Sequence, residues 1–346
     1  MPRRAANSKL ALRATWMATQ ALGLVSPRLS GRPASILWFT PWRFPQREGS
    51  RARETEWLRG SKPFKVARLQ GFVAGNGPVI LLVHGWGGWA SRLGAFVRPL
   101  VETGHQVVGV DLPAHGSSSG RRTNPFEMAD ALLKVAGSVG PVHALISHSF
   151  GGLVSLLAME RGLKPGSAVY LAPALRADHV RGRFAEVFRL RPQVMDALVR
   201  VIDAHFGSQV WEELDARRIA YRLASCDPDV PVVIAHDPED REAPFSEAVA
   251  MSQILPKARI LEVAGAGHHR ILVEDRVVTA AVEFVNGRLE TSPDQSGQEE
   301  ERGEAPQHGP GPSAESRLGL VEQSEVSRAG SLHFTEGSCP PPRSRC

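Results

Sequence analysis

Cysteine is scarce in this chain: three residues in 346, at Cys226, Cys339 and Cys346. Three thiols make a poor disulfide framework, which argues against a small cross-linked secreted scaffold and for a reducing, cytoplasmic compartment. Long apolar runs are missing too, since none reaches the roughly 18 residues that a bilayer-spanning helix needs. Residues 14–25 (ATWMATQALGLV) follow several basic residues and have the outline of a secretion signal. However, Thr15, Thr19 and Gln20 dilute the apolar region, and no small-x-small cleavage site follows. A helix that packs on the core or touches a membrane surface fits this stretch better. The sequence also lacks zinc-ligand spacing, a recognisable nucleic-acid motif and a G-x-G-x-x-G turn after its first strands. Neither a metal site, nor nucleic-acid binding, nor a Rossmann-type nucleotide site is therefore expected. No internal repeat is evident.

What is present is unevenly charged. Residues 1–60 carry eleven Lys or Arg against three acids, and residues 290–346 carry five against ten. The middle is close to neutral, at about +2, so the net charge of +5 hides a basic start and an acidic end. The chain divides accordingly. Residues 1–60 read as a basic segment with one helix and then an irregular linker. That linker is broken by Pro27, Pro33, Pro41 and Pro45 and carries the aromatic cluster Trp38, Phe39, Trp42 and Phe44. Residues 289–346 are rich in Pro, Gly, Ser, Glu and Gln and read as a disordered acidic tail.

Between them, residues 61–288 alternate short β-rich runs with helical ones. Strands are expected at Phe64–Leu69, Val79–Val83, Gln106–Val110, Val142–Ile146, Ala168–Leu171, Val232–Ala235 and Arg259–Val263. Helices are expected near Arg92–Thr103, over Pro125–Val139 behind an Asn124 cap, from Phe150 to about Arg161, over Ser246–Leu255 and over Glu274–Arg288. This rhythm predicts an α/β fold: a mostly parallel central sheet covered by helices on both faces. The rhythm lapses over about 174–228, which look helical in some three segments. So long an insert is expected to be a lid or cap. Within it Phe184, Val187, Phe188, Leu198, Val201, Ile202 and Phe206 recur at helical spacings, and Phe184 and Phe188 are candidate substrate-pocket residues.

The stretch that organises this domain is Ser147-His148-Ser149-Phe150-Gly151-Gly152, where a strand gives way to a helix within about three residues. A serine on so tight a turn needs small neighbours. Ser147, Gly151 and Gly152 supply them, and the turn lifts the Ser149 hydroxyl to a helix N-terminus where a base can reach it. The pattern resembles the nucleophile elbow G-x-S-x-G of the α/β-hydrolase superfamily, with Ser147 in place of the first glycine. Four further stretches extend the resemblance. Gly265-Ala266-Gly267-His268-His269 resembles the loop that brings the base over the elbow, with His268 as base and His269 pointing away. His236-Asp237-Pro238-Glu239-Asp240 through Pro244 resembles the pattern H-G-x-x-D-x-x-x-P. There Asp240 falls on the acid position and Asp237, standing for glycine, is its rival. His84-Gly85-Trp86-Gly87-Gly88 resembles the oxyanion loop, so the backbone N–H groups of Trp86 and Phe150 are the implied donors, and Trp86 is also a candidate pocket residue. Asp111-x-Pro-x-His115-Gly116 matches another signature of the superfamily, one that shapes a loop.

The resemblance covers residues 64–288 and implies a lidded serine hydrolase. It would cleave a carboxylic ester or thioester of a small or medium-sized molecule through an acyl-Ser149 intermediate, without cofactor. Amide, carbon–carbon or cofactor-free peroxidase chemistry on the same residues is the alternative, as is a non-catalytic ligand-binding protein. Membrane contact by the N-terminal segment is a secondary expectation, and the oligomeric state is left open.

Overall fold

Val79–Val83 (VILLV) is apolar at every position because it lies at the centre of the sheet with both faces covered. In the computed structural model, which describes residues 2–41, 48–227 and 229–288, this strand is β3 of eight. The others are β1 (Lys62–Val66), β2 (Leu69–Ala74), β4 (Gln106–Asp111), β5 (Val142–His148), β6 (Ser167–Leu171), β7 (Val232–His236) and β8 (Ala258–Glu262). They are ordered β1-β2-β4-β3-β5-β6-β7-β8. The β1–β2 and β2–β4 pairs are antiparallel and the remaining five are parallel. The expected α/β architecture with a mostly parallel sheet is thus present.

Strand periodicity divides the core in two. Val79, Leu81 and Val83 face one cluster with Met128, Leu132, Leu153 and Leu157 of the helices Pro125–Val139 and Phe150–Glu160. Ile80 and Leu82 face the other, with Leu93 and Phe96 of the Ala90–Phe96 turn and Val277 and Ala281 of the helix Asp275–Val285. The interior strands β3, β6 and β7 are buried at every residue, whereas the edge strands β1 and β8 are not. Asn124 caps its helix as expected, its Oδ1 accepting the Glu127 N–H at 2.9 Å.

Three expectations need correction. The run Phe64–Leu69 is not one strand. It spans a hairpin in which Val66 pairs with Leu69 and Ala67 takes a left-handed turn at φ +50°. The insert between β6 and β7 holds four helices rather than three: Ala177–Phe188, Pro192–Phe206, Val210–Glu213 and Ala216–Cys226. The described part of residues 1–60 is not irregular after a first helix. It forms helices Pro2–Val25, Pro27–Trp38 and Glu48–Trp57. Pro27 opens the second of these at a position where its missing N–H costs nothing, and Pro33 is accommodated within it.

The helix Pro27–Trp38 packs on Pro192–Phe206 so closely that a Cβ at Gly31 would lie 2.4 Å from the Ala197 carbonyl oxygen. Trp16 Nε1 and Gln20 Nε2 both donate to the Phe188 carbonyl at 2.9 Å, capping the end of Ala177–Phe188. The inserted helices and the N-terminal ones are therefore one packed layer. Of the aromatic cluster, Trp38 packs edge-on to Phe184 at 4.9 Å and Phe39 tilts against Phe206 at 5.9 Å. Trp42 and Phe44 lie outside the described residues, as do Cys339, Cys346 and the expected disordered tail. No helix among the described residues is long and apolar enough to cross a membrane.

Candidate active site

The sheet order brings the candidate residues together. β3 and β5 are neighbours, with Val83 registered on Ser147, so the loops after them leave the same edge side by side. This is the switch point where successive connections depart in opposite directions, and open α/β sheets place their crevice there. Ser149 sits at φ +54°, ψ −126°, a backbone conformation that L-residues other than glycine avoid. Backbone crowding explains the small residues around it. A Cβ on Gly85 would lie 2.9 Å from Ser149 Cβ, and one on Gly151 would lie 2.7 Å from the Val83 carbonyl oxygen. Ser147 is fully buried, and its Oγ has no hydrogen-bond partner among the described residues.

β7 and β8 are likewise neighbours, with His236 registered on Glu262, so the Asp237–Asp240 and Gly265–His268 loops emerge together. Ser149 Oγ and His268 Nε2 are 2.9 Å apart, and His268 Nδ1 lies 2.8 Å from Asp240 Oδ2. The other Asp240 oxygen accepts the N–H groups of Glu242 at 2.7 Å and Ala243 at 3.1 Å. His236 Nε2 stands 3.4 Å from Asp240 Oδ2. Burial works to raise the Asp240 carboxyl, but these hydrogen bonds outweigh it and hold the group well below the usual carboxylate range. Asp237 faces elsewhere. Its Oδ1 accepts the Glu239 N–H at 3.0 Å and its Oδ2 accepts the Gly267 N–H at 2.5 Å, so it ties the two loops to each other.

Trp86 occupies the second position of a turn closed by Gly88 N–H donating to the Gly85 carbonyl at 3.0 Å, with Gly87 at φ +70°. The Trp86 ring packs edge-on to Phe150 at 5.5 Å and to His115 at 5.4 Å. Phe150 is the first residue of its helix, where the N–H has no partner within the helix. His84 holds this loop in place. Its Nδ1–H donates to the Gly85 carbonyl at 2.8 Å, and its Nε2 accepts the Leu112 N–H at 3.0 Å. Burial pushes its pKa down to about 4, so the ring is neutral at physiological pH. Asp111 braces the neighbouring loop, accepting the N–H groups of Ala90 and Ser117.

Phe184 and Phe188 tilt against each other at 4.5 Å within the helical layer. Phe188 is 3% exposed, and its burial is accounted for by core packing beneath the N-terminal helix. The groove of about 550 Å³ between Ala177–Phe188 and Pro192–Phe206 is lined by Arg181, Met195, Asp196 and Arg200 among others, and by no residue of the Ser149 site.

One histidine of the site, His236, escaped the sequence reading. His236 contacts Asp240 from behind; its place four residues before the acid, in the loop pattern already quoted, was the available signal. His148 tilts against the His268 ring at 4.9 Å and donates Nε2–H to the His268 carbonyl at 2.8 Å. Burial, with His268 next to it, holds its pKa well below the ordinary value. With His269 these two rings form a three-nitrogen cluster within 4.8 Å. The His268 nitrogens are already engaged by Ser149 and Asp240, so a metal held there would displace those contacts.

Residues 80–282, more than half of the chain, match the sequence profile of the alpha/beta hydrolase family. The chain belongs to the α/β hydrolase family. Curated relatives of this family member include Protein ABHD8 of Bos taurus and of Homo sapiens. Each is 26% identical over an alignment of 259 residues that covers 62% of this chain. The chain spans 57% and 56% of their lengths. A solved structure of a membrane phospholipase A superposes with a TM-score of 0.50 at 18% identity, covering 83% of this chain and 99% of the other. The DcsB complex with its substrate analogue superposes equally well at 18% identity, covering 66% and 98%. At such identities the likeness is one of fold.

Proposed function

We propose that this α/β hydrolase family member is a serine hydrolase that cleaves a carboxylic ester or thioester through an acyl-Ser149 intermediate. The observation that carries the proposal is the chain of contacts from Ser149 Oγ to His268 Nε2 at 2.9 Å and from His268 Nδ1 to Asp240 Oδ2 at 2.8 Å, beneath an elbow strained at φ +54°. His268 Nε2 takes the Ser149 proton as Oγ attacks the substrate carbonyl carbon. The ionised Asp240 accepts the Nδ1–H and stabilises the imidazolium that forms. The negative charge on the carbonyl oxygen is received by the N–H groups of Trp86 and Phe150, which is where a preorganised site does most for the rate. Collapse expels the alcohol or thiol, which takes the proton from His268 and leaves an acyl ester on Ser149. Water, deprotonated by the same imidazole, then attacks this ester, and the acid departs with Ser149 regenerated.

The inserted helices 174–228 serve in this reading as a lid that sets the size of the acyl group, and Trp86, packed edge-on to Phe150, lines the pocket. A fluorophosphonate probe tests the reading, since it reacts only with an activated serine. Labelling confined to Ser149 supports it, and a folded protein that stays unlabelled is a ligand-binding relative instead.

A further inference from the structure

We propose that the outer face of the first two helices is a docking surface for an anionic phospholipid membrane. Leu10, Met17 and Leu24 recur every seven residues on the helix Pro2–Val25, which sets them on one face. They are 70%, 62% and 64% exposed. Val25 beside them is more exposed still, and Leu29 and Ile36 continue the patch on Pro27–Trp38. Ala11, Ala14, Ala18 and Ala21 fill the space between them, all turned outward. Among the described residues, seven of the nine exposed large hydrophobic side chains belong to these two helices. A solvated helix face normally carries charged residues of both signs, and this one does not.

The core has no use for this face. The opposite side of the same helices carries the buried Thr19, Ser30, Ala34 and Leu37, and a Cβ on Gly23 would lie 2.7 Å from Val194 of the inserted helix beneath. The helix Pro2–Val25 is long enough to cross a membrane but not apolar enough. Lying on the surface of one makes no such demand.

Charge selects the occupant. The first 47 residues contain eight Lys or Arg and no acid. Arg13, Arg28 and Arg32 are exposed on the described part of these helices, flanking the apolar patch. Cations beside an apolar face match an anionic headgroup layer over acyl chains. A second copy of the chain meeting through these helices would set arginine against arginine, since neither helix carries an acid. The surface is wired to the inserted helices, because Trp16 and Gln20, which cap Ala177–Phe188, stand on the docking helix itself. The proposal does not depend on ester hydrolysis, and its test reads binding alone.

The full chain is sedimented with vesicles of neutral phosphatidylcholine and with vesicles containing about a third phosphatidylglycerol. At about fivefold per cation, the three arginines predict roughly a hundredfold preference for the anionic vesicles, weakening with added salt. Met17→Glu with Leu24→Glu should abolish that binding. Arg13→Gln, Arg28→Gln and Arg32→Gln together should lower the preference and its salt dependence, and these exposed positions keep the test open if the double glutamate variant fails to fold. Equal binding to both vesicles overturns the proposal, and so does no binding to either. A concentration-dependent dimer in sedimentation velocity that Met17→Glu dissociates assigns the face to self-association and also overturns it.

Discussion

Replacing Asp240 by Asn changes one oxygen for an NH2 and leaves the shape of the loop. Asp240 Oδ1 accepts two backbone N–H groups, from Glu242 and Ala243, so the new amide settles with its carbonyl there. Its NH2 then points at His268 Nδ1, 2.8 Å away. Two N–H groups cannot face each other, so His268 must carry its proton on Nε2 and cannot accept one from Ser149. This wrong tautomer costs on the order of 10⁴ in kcat, or roughly 5 kcal/mol of transition-state stabilisation. Asp237→Asn is the control. Asp237 spans the Glu239 and Gly267 N–H groups, and the amide keeps one of these bonds while losing a charge-assisted one worth about 1.5–3 kcal/mol. That loss falls on loop stability, so kcat should drop by no more than about tenfold. Both variants are compared on one activated p-nitrophenyl ester at fixed pH, with melting temperatures alongside. If Asp237→Asn loses more turnover than Asp240→Asn, the assignment of the acid is wrong.

Three further outcomes follow from the same structure. Gly85→Ala sets a methyl 2.9 Å from Ser149 Cβ, and displacing the elbow by a fraction of an ångström should lower kcat by about 10²; an unchanged rate would mean that the loop has slack. Burial raises the Glu247 carboxyl above the ordinary Glu value while its Oε2 accepts the Leu175 N–H at 2.9 Å at the start of the insert. Its native form therefore holds the proton more tightly than the unfolded chain, and its contribution is full below the ordinary Glu pKa and lost as pH rises through the raised one. Relative to wild type, Glu247→Gln should gain in melting temperature on moving to higher pH across that window; a constant difference would refute the linkage. Phe188→Ala should cost about 3–5 kcal/mol of stability as a core deletion, and Phe184→Ala, half-buried against Trp38, should cost less. A chain-length shift on p-nitrophenyl esters without loss of stability would place both in an acyl pocket instead.

The sheet was legible because burial on two faces writes itself as uninterrupted apolar residues, as in Val79–Val83 and Val232–His236. The meeting of Ser149, His268 and Asp240 was legible because each follows a strand, and a parallel sheet gathers such loops at one edge. Local sequence could not place the first 60 residues. Pro33 breaks helices in isolation, yet here a helix holds it, with Gly31 of that helix pressed against Pro192–Phe206. The Trp16 and Gln20 contacts with Phe188 span about 170 residues of chain, and no pattern of spacing encodes them. Phe184 and Phe188 illustrate the same limit. A helical apolar stripe looks alike whether it meets substrate or another helix, and here the stripe meets Trp38.

The central claim is that Ser149 is an activated nucleophile. Its most direct test is fluorophosphonate labelling and activated-ester hydrolysis by wild type and Ser149→Ala at matched concentration. Wild type should be labelled at Ser149 and turn over the ester, while Ser149→Ala should lose all labelling and about 10⁶ in turnover with its fold intact. A Ser149→Ala protein that kept more than about a tenth of the wild-type rate would contradict the claim.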